Sequence, residues 1–400
     1  MPIHFFRIAL VLGLLQAIGP FAIDMYLPAL PSIGSSLNAS AHAVQASLMA
    51  FFLSLGLGQM VYGPASDMLG RKRPLYFGLL VFAVGSIGCA LAPDIQTLVT
   101  WRFVQGLGAC AGMVVPRAVV RDLHTGAQAA RLMALLTLVF SVSPILAPLF
   151  GSFLIEWSGW RAVFWTVTVA ALLAVVLLAT SLPETRDRAQ RLDSSVKGAL
   201  AGYWLLLRDA HFMGLVFIGG FGISAFFAYL ANSSFVLIDH YGLTPRQYSY
   251  AFAANAASFI GMSQLTGHMI KRFGMAPLVR AGVGGFAGLM LLALLLNLAG
   301  VQGMWVMLAL LFMGYGCLGL VMPSAAVLAL DAHGEIAGTA SALMGTLQFM
   351  TGAAVMATVG LFVDGTARPM LAGIAGSAVL TLLITLKTLG KGNTRAPSVH

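Results

Sequence analysis

One acid interrupts the apolar run that follows His4 and Arg7 and continues to about Pro28: Asp24. It is the only acid placed well inside an apolar stretch of this chain. An aspartate at the centre of a hydrocarbon layer costs about 2.5–3.5 kcal/mol on an insertion scale. Burial works against its charged form, whereas a nearby cation works for it. A carboxyl held between those influences can take a proton in one conformation and release it in another. Arg102 is the natural cation, five residues into another apolar run that starts at about residue 97. Its guanidinium stays charged, so it would tune Asp24 or relay charge through water. Plainer readings stay open. Asp24 could cap a helix kink beside Pro28 or sit in a static ion pair, and Arg102 could be an interfacial arginine whose stem lies along apolar surface.

Other polar side chains inside apolar runs are candidates for lining a ligand cavity: Gln16, Tyr26, Gln105, Tyr229, Asn232, Ser233, Asn255, Gln264 and Gln348. Each reads equally well as a packing or interface residue. The 20 Met and 25 Phe invite an adaptable apolar pocket, although most of them would face lipid or core. His211, His240, His268 and His333 sit near the ends of runs, where an interface role is the simpler one. Cys89, Cys110 and Cys317 lie inside apolar runs and read as small hydrophobes. There is no metal-ligand cluster, no Gly-x-x-x-x-Gly-Lys-Ser/Thr loop and no His-Glu-x-x-His, so ATP hydrolysis and zinc hydrolysis lack their parts. Asp24 has no evident second acid or nucleophile beside it, so an enzyme is not expected and no cofactor is implied. Work done by such a chain must draw on an ion gradient or on the gradient of its own substrate.

The composition says where these residues live. Only 9% of 400 residues are charged and 59% are hydrophobic, with mean hydropathy +0.91; soluble domains are about 25% charged. A soluble fold of this size cannot hide that much apolar surface, and the alternating ten-residue strands of a transmembrane barrel are absent. A spanning helix needs about 20 mostly apolar residues. Such runs fall at 6–30, 43–66, 75–93, 97–120, 132–155, 161–182, 211–237, 247–270, 277–299, 303–328, 336–362 and 370–388. The first could be a signal peptide, but no small-residue cleavage site follows a short core, so it reads as a retained helix. The net charge of +9 is what a positive-inside bias leaves behind, rather than a nucleic-acid footprint. One side collects Arg71, Lys72, Arg73, Arg121, Arg131, Lys271, Arg272, Arg280, Lys387, Lys391, Arg395 and the long connection; the other holds little beyond Arg161, Arg246 and Arg368. Both termini are therefore expected in the cytoplasm. The connection 183–209 carries Glu184, Arg186, Asp187, Arg188, Arg191, Asp193, Lys197 and Arg208, and divides the chain into halves 1–182 and 210–400 of six spans each.

The halves repeat a pattern. Gly63-x-x-x-Asp67-x-x-Gly70 follows the second span, and Gly267-x-x-x-Lys271-x-x-Gly274 follows the eighth, which is second in its half. Two six-helix halves of parallel topology with nested repeats resemble the major facilitator superfamily. The expected fold class is thus an all-α integral membrane protein of twelve transmembrane helices in two pseudo-symmetric halves. Gly63-Pro64-Ala65-Ser66-Asp67-Met68-Leu69-Gly70-Arg71-Lys72-Arg73 resembles that family's motif A. The resemblance makes Gly63, Asp67, Gly70, Arg71 and Arg73 a cytoplasmic gate latch; the turn is also a basic topology anchor. Trp101-Arg102-Phe103-Val104-Gln105-Gly106-Leu107-Gly108 is similar to motif B. Ser143-Pro144-Ile145-Leu146-Ala147-Pro148-Leu149-Phe150-Gly151-Ser152 looks like the antiporter motif C through Pro144, Pro148 and Gly151, with Ala147 and Ser152 where glycines are usual.

Asp24-Met25-Tyr26-Leu27-Pro28-Ala29-Leu30-Pro31 resembles the opening of drug/proton antiporters, in the form of the bicyclomycin/chloramphenicol-resistance branch. Arg121-Asp122, Gly159-Trp160-Arg161 with Phe164, Tyr241-Gly242 and Ala253 to Asn255 agree with it. The resemblance implies a monomeric, proton-coupled multidrug efflux antiporter in a bacterial cytoplasmic (inner) membrane. Small amphipathic drugs, protons and the lipid bilayer would be its partners, with no nucleic acid. A metabolite exporter or proton symporter on the same fold is the alternative, since fold alone does not set substrate or direction.

Overall fold

The computed structural model describes residues 3–124, 126–186, 196–331, 333 and 336–390, all helix or short connection. Asp187, Arg188, Arg191 and Asp193 of the connection, and Lys391 and Arg395 of the tail, lie outside the described residues. The first span is not the single run 6–30. It is α1 (Ile3–Asp24), a 3-10 turn (Leu27–Ala29) and α2 (Leu30–Ser36). The break has a backbone cause. Pro28 and Pro31 have no N–H to donate to the carbonyls four residues back. The chain tightens instead, with the Tyr26 N–H on Ile23 O at 3.2 Å and the Ala29 N–H on Tyr26 O at 3.0 Å. Asp24 therefore ends a helix rather than sitting within one.

The remaining helices are α3 (Ala41–Leu69), α4 (Lys72–Leu91), α5 (Ile95–Leu123), α6 (Gly126–Ser158), α7 (Arg161–Ser181), α8 (Val196–Arg208) and α9 (Ala210–Ser234). A π-helical stretch, Phe235–His240, prolongs α9 and is followed by α10 (Pro245–Phe273), α11 (Met275–Leu298), α12 (Met304–Asp331), α13 (Ala337–Gly360) and α14 (Arg368–Thr388). Among the described residues, 11 helical stretches are long and apolar enough to cross a membrane, counting α1 to α2 as one. The twelfth long helix, α10, falls below that hydropathy because Arg246, Gln247, Asn255, Gln264, His268, Lys271 and Arg272 sit among its apolar residues. α8 lies inside the connection that was expected to be a loop.

Local capping sets where the site-bearing helices start. Asp94 accepts the Thr97 N–H at 2.8 Å and the Thr97 hydroxyl at 3.0 Å, which opens α5. The same hydrogen bonds hold the Asp94 carboxyl below its ordinary range. Arg161 stacks on Trp160, its guanidinium 4.1 Å from the ring centroid. It donates to Ala90 O and Ala92 O, both at 3.1 Å, and so satisfies carbonyls at the end of α4.

The chain forms two compact units. Residues 1–201 with 230–253 make the first; residues 202–229 with 254–400 make the second. In the first, α4 packs on α5 and α7, α3 on α5, and α1 on α5, α6 and α7. In the second, α11 packs on α12 and α14, which repeats the pairing of α4 with α5 and α7. The glycine repeat has a conformational meaning as well. Gly70 (φ 88°, ψ 169°) and Gly274 (φ 80°, ψ 161°) adopt the same left-sided backbone conformation, open to glycine and costly for other residues.

The α4–α5 seam depends on small residues, as helix pairs do where apolar surface cannot drive association. A Cβ at Gly85 would lie 2.6 Å from the Gln105 main-chain N and 2.7 Å from its Cα. Gly288, on α11, has nothing within 4 Å of such a Cβ. Gly85→Ala should therefore force the seam apart and cost about 1–3 kcal/mol, whereas Gly288→Ala should be neutral. Thermal unfolding of the two purified variants in detergent checks this; equal melting temperatures would show that the seam tolerates the extra methyl.

Candidate functional site

Asp24 is buried at the end of α1. Ser143 of α6 donates its hydroxyl to Asp24 Oδ2 at 3.2 Å. Asp24 forms no ion pair among the described residues. The motif-C residues explain how α6 comes so close. A Cβ at Gly151 would collide with the main chain of Met25, so only glycine lets α6 lie against the turn that follows Asp24. Pro144 and Pro148 lie inside α6, between Ser143 and that contact. Pro148 O accepts the Ser249 hydroxyl of α10 at 2.9 Å, a bond within the first unit.

Arg102 is fully buried, eight residues into α5. Its Nη1 donates to Gln105 Oε1 at 2.7 Å and to Ala22 O at 3.3 Å, two residues before Asp24. Gln105 Nε2 passes the chain on to Ser86 Oγ at 2.8 Å. Nε and Nη2 of Arg102 have no hydrogen-bond partner. Aromatic faces take their place: the guanidinium carbon is 4.3 Å from the Phe51 ring centroid, 4.4 Å from Tyr26 and 5.8 Å from Phe164. Cation–π attraction is worth about 2 kcal/mol or more when desolvated. Tyr26 is itself fixed, its hydroxyl 2.7 Å from Ser47 Oγ. Asp24 and Arg102 are thus brought to the same turn of the first unit but not into an ion pair.

The motif-A turn builds a second charged cluster in the same unit. Arg71 grips Asp122 with two donors, Nε to Oδ2 at 2.7 Å and Nη2 to Oδ1 at 3.1 Å. Its Nη1 reaches Asp67 Oδ1 at 2.7 Å and Ser66 Oγ at 2.9 Å. Burial alone would lower the Arg71 pKa, but the two carboxylates hold it above its ordinary value. Glu184, just past α7, accepts the Arg71 N–H at 2.8 Å and the Lys72 N–H at 3.2 Å, so it caps the start of α4. Thr185 adds a hydrogen bond to Asp122, and Arg186 Nε donates to Asp67 O. One arginine therefore ties together the ends of α3, α4, α5 and α7. Arg73 is exposed and Gly63 half-buried.

Gln16 is buried, with its carbonyl oxygen unpartnered. Asn232 Oδ1 accepts from Gln45 Nε2 of α3 at 2.9 Å, and Ser233 Oγ lies 3.1 Å from the Tyr248 hydroxyl, both inside the first unit. The second unit holds Tyr229, Asn255, Gln264 and Gln348. There Asn255 Nδ2 donates to the Tyr229 hydroxyl at 2.9 Å. Tyr229 packs in an aromatic group with Phe226 and Tyr315, centroids 6.4 and 5.5 Å away. Gln348 is half-buried and crowds Gly219, while Gln264 is exposed. Sequence reasoning missed Phe51, Glu184 and Gln45. Gln45 carried the same signal as Gln16, a polar side chain in an apolar run; a phenylalanine among 25 carries none.

Comparison with known proteins gives the family and the fold. The pattern of the Major Facilitator Superfamily matches residues 12–357. An uncharacterized MFS-type transporter of Bacillus subtilis (strain 168), YdgK, is 36% identical over 376 residues, 93% of each chain. A bicyclomycin resistance protein homolog of Haemophilus influenzae is 29% identical over 390 residues, 94% of this chain and 95% of the relative. Among solved structures, a D-xylose–proton symporter superposes with a TM-score of 0.76 at 17% identity, covering 98% of this chain and 100% of its own, a likeness of fold alone. With the paired helix pattern, the repeated glycine turn and a family match over most of its length, the chain belongs to the major facilitator superfamily of membrane transporters.

Proposed function

We propose that this transporter exports small amphipathic drugs in exchange for protons, by alternating access, from a bacterial cytoplasm. The observation that carries the reading is Asp24, a buried carboxyl at a broken helix end with no paired cation among the described residues, beside a caged arginine. Desolvating an unpaired carboxylate is costly, and taking up a proton removes that cost. A conformation that admits water or brings a cation close reverses the preference. Asp24 is the proton carrier in this reading and Arg102 the group that biases it. A proton arriving from outside neutralises Asp24 and weakens drug binding in the outward state; loss of the proton to the cytoplasm restores it. Coupling requires only that proton and drug bias the two states oppositely.

Tyr26, Gln105, Gln16 and Asn232 in the first unit, and Tyr229, Asn255 and Gln348 in the second, are proposed to contribute to drug binding. Chloramphenicol- or bicyclomycin-like compounds are the first to try, a choice supported by the name of the Haemophilus influenzae relative. The Lys/Arg distribution supports cytoplasmic termini and a cytoplasmic motif-A turn. That turn, from Gly63 to Arg73, is proposed as the gate latch. The monomer is the proposed working form.

In a strain stripped of its own pumps, the wild type should confer resistance and Asp24→Asn, at equal membrane level, should confer none. In proteoliposomes the same variant should still exchange drug for drug but ignore an imposed pH gradient. Full resistance with Asp24→Asn would remove Asp24 as the carrier.

The latch gives a second expectation. Asp122 is mostly buried and grips Arg71 with two bonds, whereas the Asp67 side chain is 44% exposed. Breaking a buried pair costs about 3–5 kcal/mol, and an exposed one about 1 kcal/mol or less. Asp122→Ala should lower the unfolding temperature of the purified protein well below that of Asp67→Ala. The reverse order would place the weight of the cluster on Asp67.

A further inference from the structure

The helix α8 carries an exposed apolar face with basic residues along its edge. Val196, Leu200, Trp204 and Leu207 are all exposed. On a helix that turns about 100° per residue they fall within about 80° of one another. Tyr203 and Leu206, on one side of that stripe, are buried, and Gly202 sets the helix against Thr339 of α13. Lys197 and Arg208 lie on the other side of the stripe. The order around the axis is thus protein-facing, apolar and open, then basic; among the large apolar side chains only Leu205 falls outside it. Neither Lys197 nor Arg208 forms an ion pair among the described residues. The Arg208 guanidinium stacks over Trp204, its carbon 4.4 Å from the ring centroid.

We infer that α8 docks on the bilayer surface and that Lys197 and Arg208 hold anionic lipid headgroups there. Continuity with the membrane-spanning part fixes the occupant. Only Asp209 separates α8 from α9, which is long and apolar enough to cross the membrane. Asp209 caps α9, its Oδ1 accepting the His211 and Phe212 N–H groups at 2.8 and 3.0 Å, while its Oδ2 lies 3.2 Å from His333 Nε2. The end of α8 is therefore held at the depth where α9 leaves the hydrocarbon. An apolar stripe at that depth meets acyl chains, a tryptophan meets the interface, and a basic edge meets headgroups. The inference rests on the chain being a membrane protein and on no particular substrate or ion coupling.

The test uses the full chain, reconstituted with a bimane dye on Leu200→Cys. Vesicles are phosphatidylcholine, or phosphatidylcholine mixed with phosphatidylglycerol, with either lipid brominated as quencher. Both lipids should quench the dye, with brominated phosphatidylglycerol preferred. The double variant Lys197→Gln, Arg208→Gln should lower that preference by about fivefold for each charge removed. A dye on Phe77→Cys, an exposed position on the apolar span α4, should be quenched in either background with no change in preference. Quenching at 77 but not at 200 would show that α8 does not lie on lipid. Quenching at 200 that ignores lipid charge, or survives the double variant unchanged, would overturn the role of Lys197 and Arg208. Transport activity enters neither readout, so this inference and the transport reading can fail separately.

Discussion

A charge taken out of water has to be neutral, paired or surrounded by groups that replace water, because the desolvation cost is otherwise several kcal/mol. The described part of this chain uses each of those solutions, and much of its local structure follows from which one is chosen. Arg71 is paired: two carboxylates and a serine meet it, which requires the ends of α3, α4 and α5 to converge. Arg102 is surrounded: three aromatic rings, one glutamine and one carbonyl take the place of a carboxylate. Asp24 has neither an ion-pair partner nor a cage, only a serine hydroxyl. In the proposed reading it is the group that takes up and releases the proton.

Backbone features serve the same constraint. The prolines at 28 and 31 end α1 where a longer helix would have carried Asp24 in mid-span. The glycine at 151 lets α6 reach the main chain beside it, so that a hydroxyl rather than a charged side chain meets the carboxyl. At the α4–α5 seam, glycines let Gln105 and Ser86 bond deep between the two helices. Gln105 in turn fixes Arg102. The close packing of one helix pair thus sets the position of a charge on the side that faces α1.

The membrane class and the basic turns were legible in the sequence, since hydropathy and charge placement are direct consequences of lipid. Asp24 and Arg102 were legible for the same reason: an ionisable residue in an apolar run is conspicuous. What lay beyond reach were partners supplied from far along the chain. Glu184 reads as one more loop charge, yet it caps α4 from more than a hundred residues away. Phe51 is indistinguishable from any other core aromatic until Arg102 is seen against it. α8 is short and was absorbed into a charged connection, where its pattern is visible only once its ends are known. α10 shows the opposite effect: its run at 247–270 was legible by length although its polar residues keep it below the hydropathy of the other spans.

The two repeats keep the same turn but not the same charges. Gly70 and Gly274 share a conformation, yet Lys271 stands where Asp67 does and Met275 where Arg71 does. A lysine cannot accept from an arginine, and a methionine cannot donate, so the second turn preserves the backbone and drops the network. In the second unit, among the described residues, a carboxylate meets a ring nitrogen elsewhere, His333 Nε2 lying 3.2 Å from Oδ2 of Asp209 at the start of α9. Any rearrangement that opens the first turn must break buried, charge-assisted hydrogen bonds, which are about twice as strong as neutral ones. Among the described residues, the same rearrangement of the second turn breaks none of that kind. Among the described residues this buried network belongs to the first unit, which also holds Asp24. If, as proposed, Asp24 carries the proton and the first turn is the latch, both belong to the same packed unit of helices.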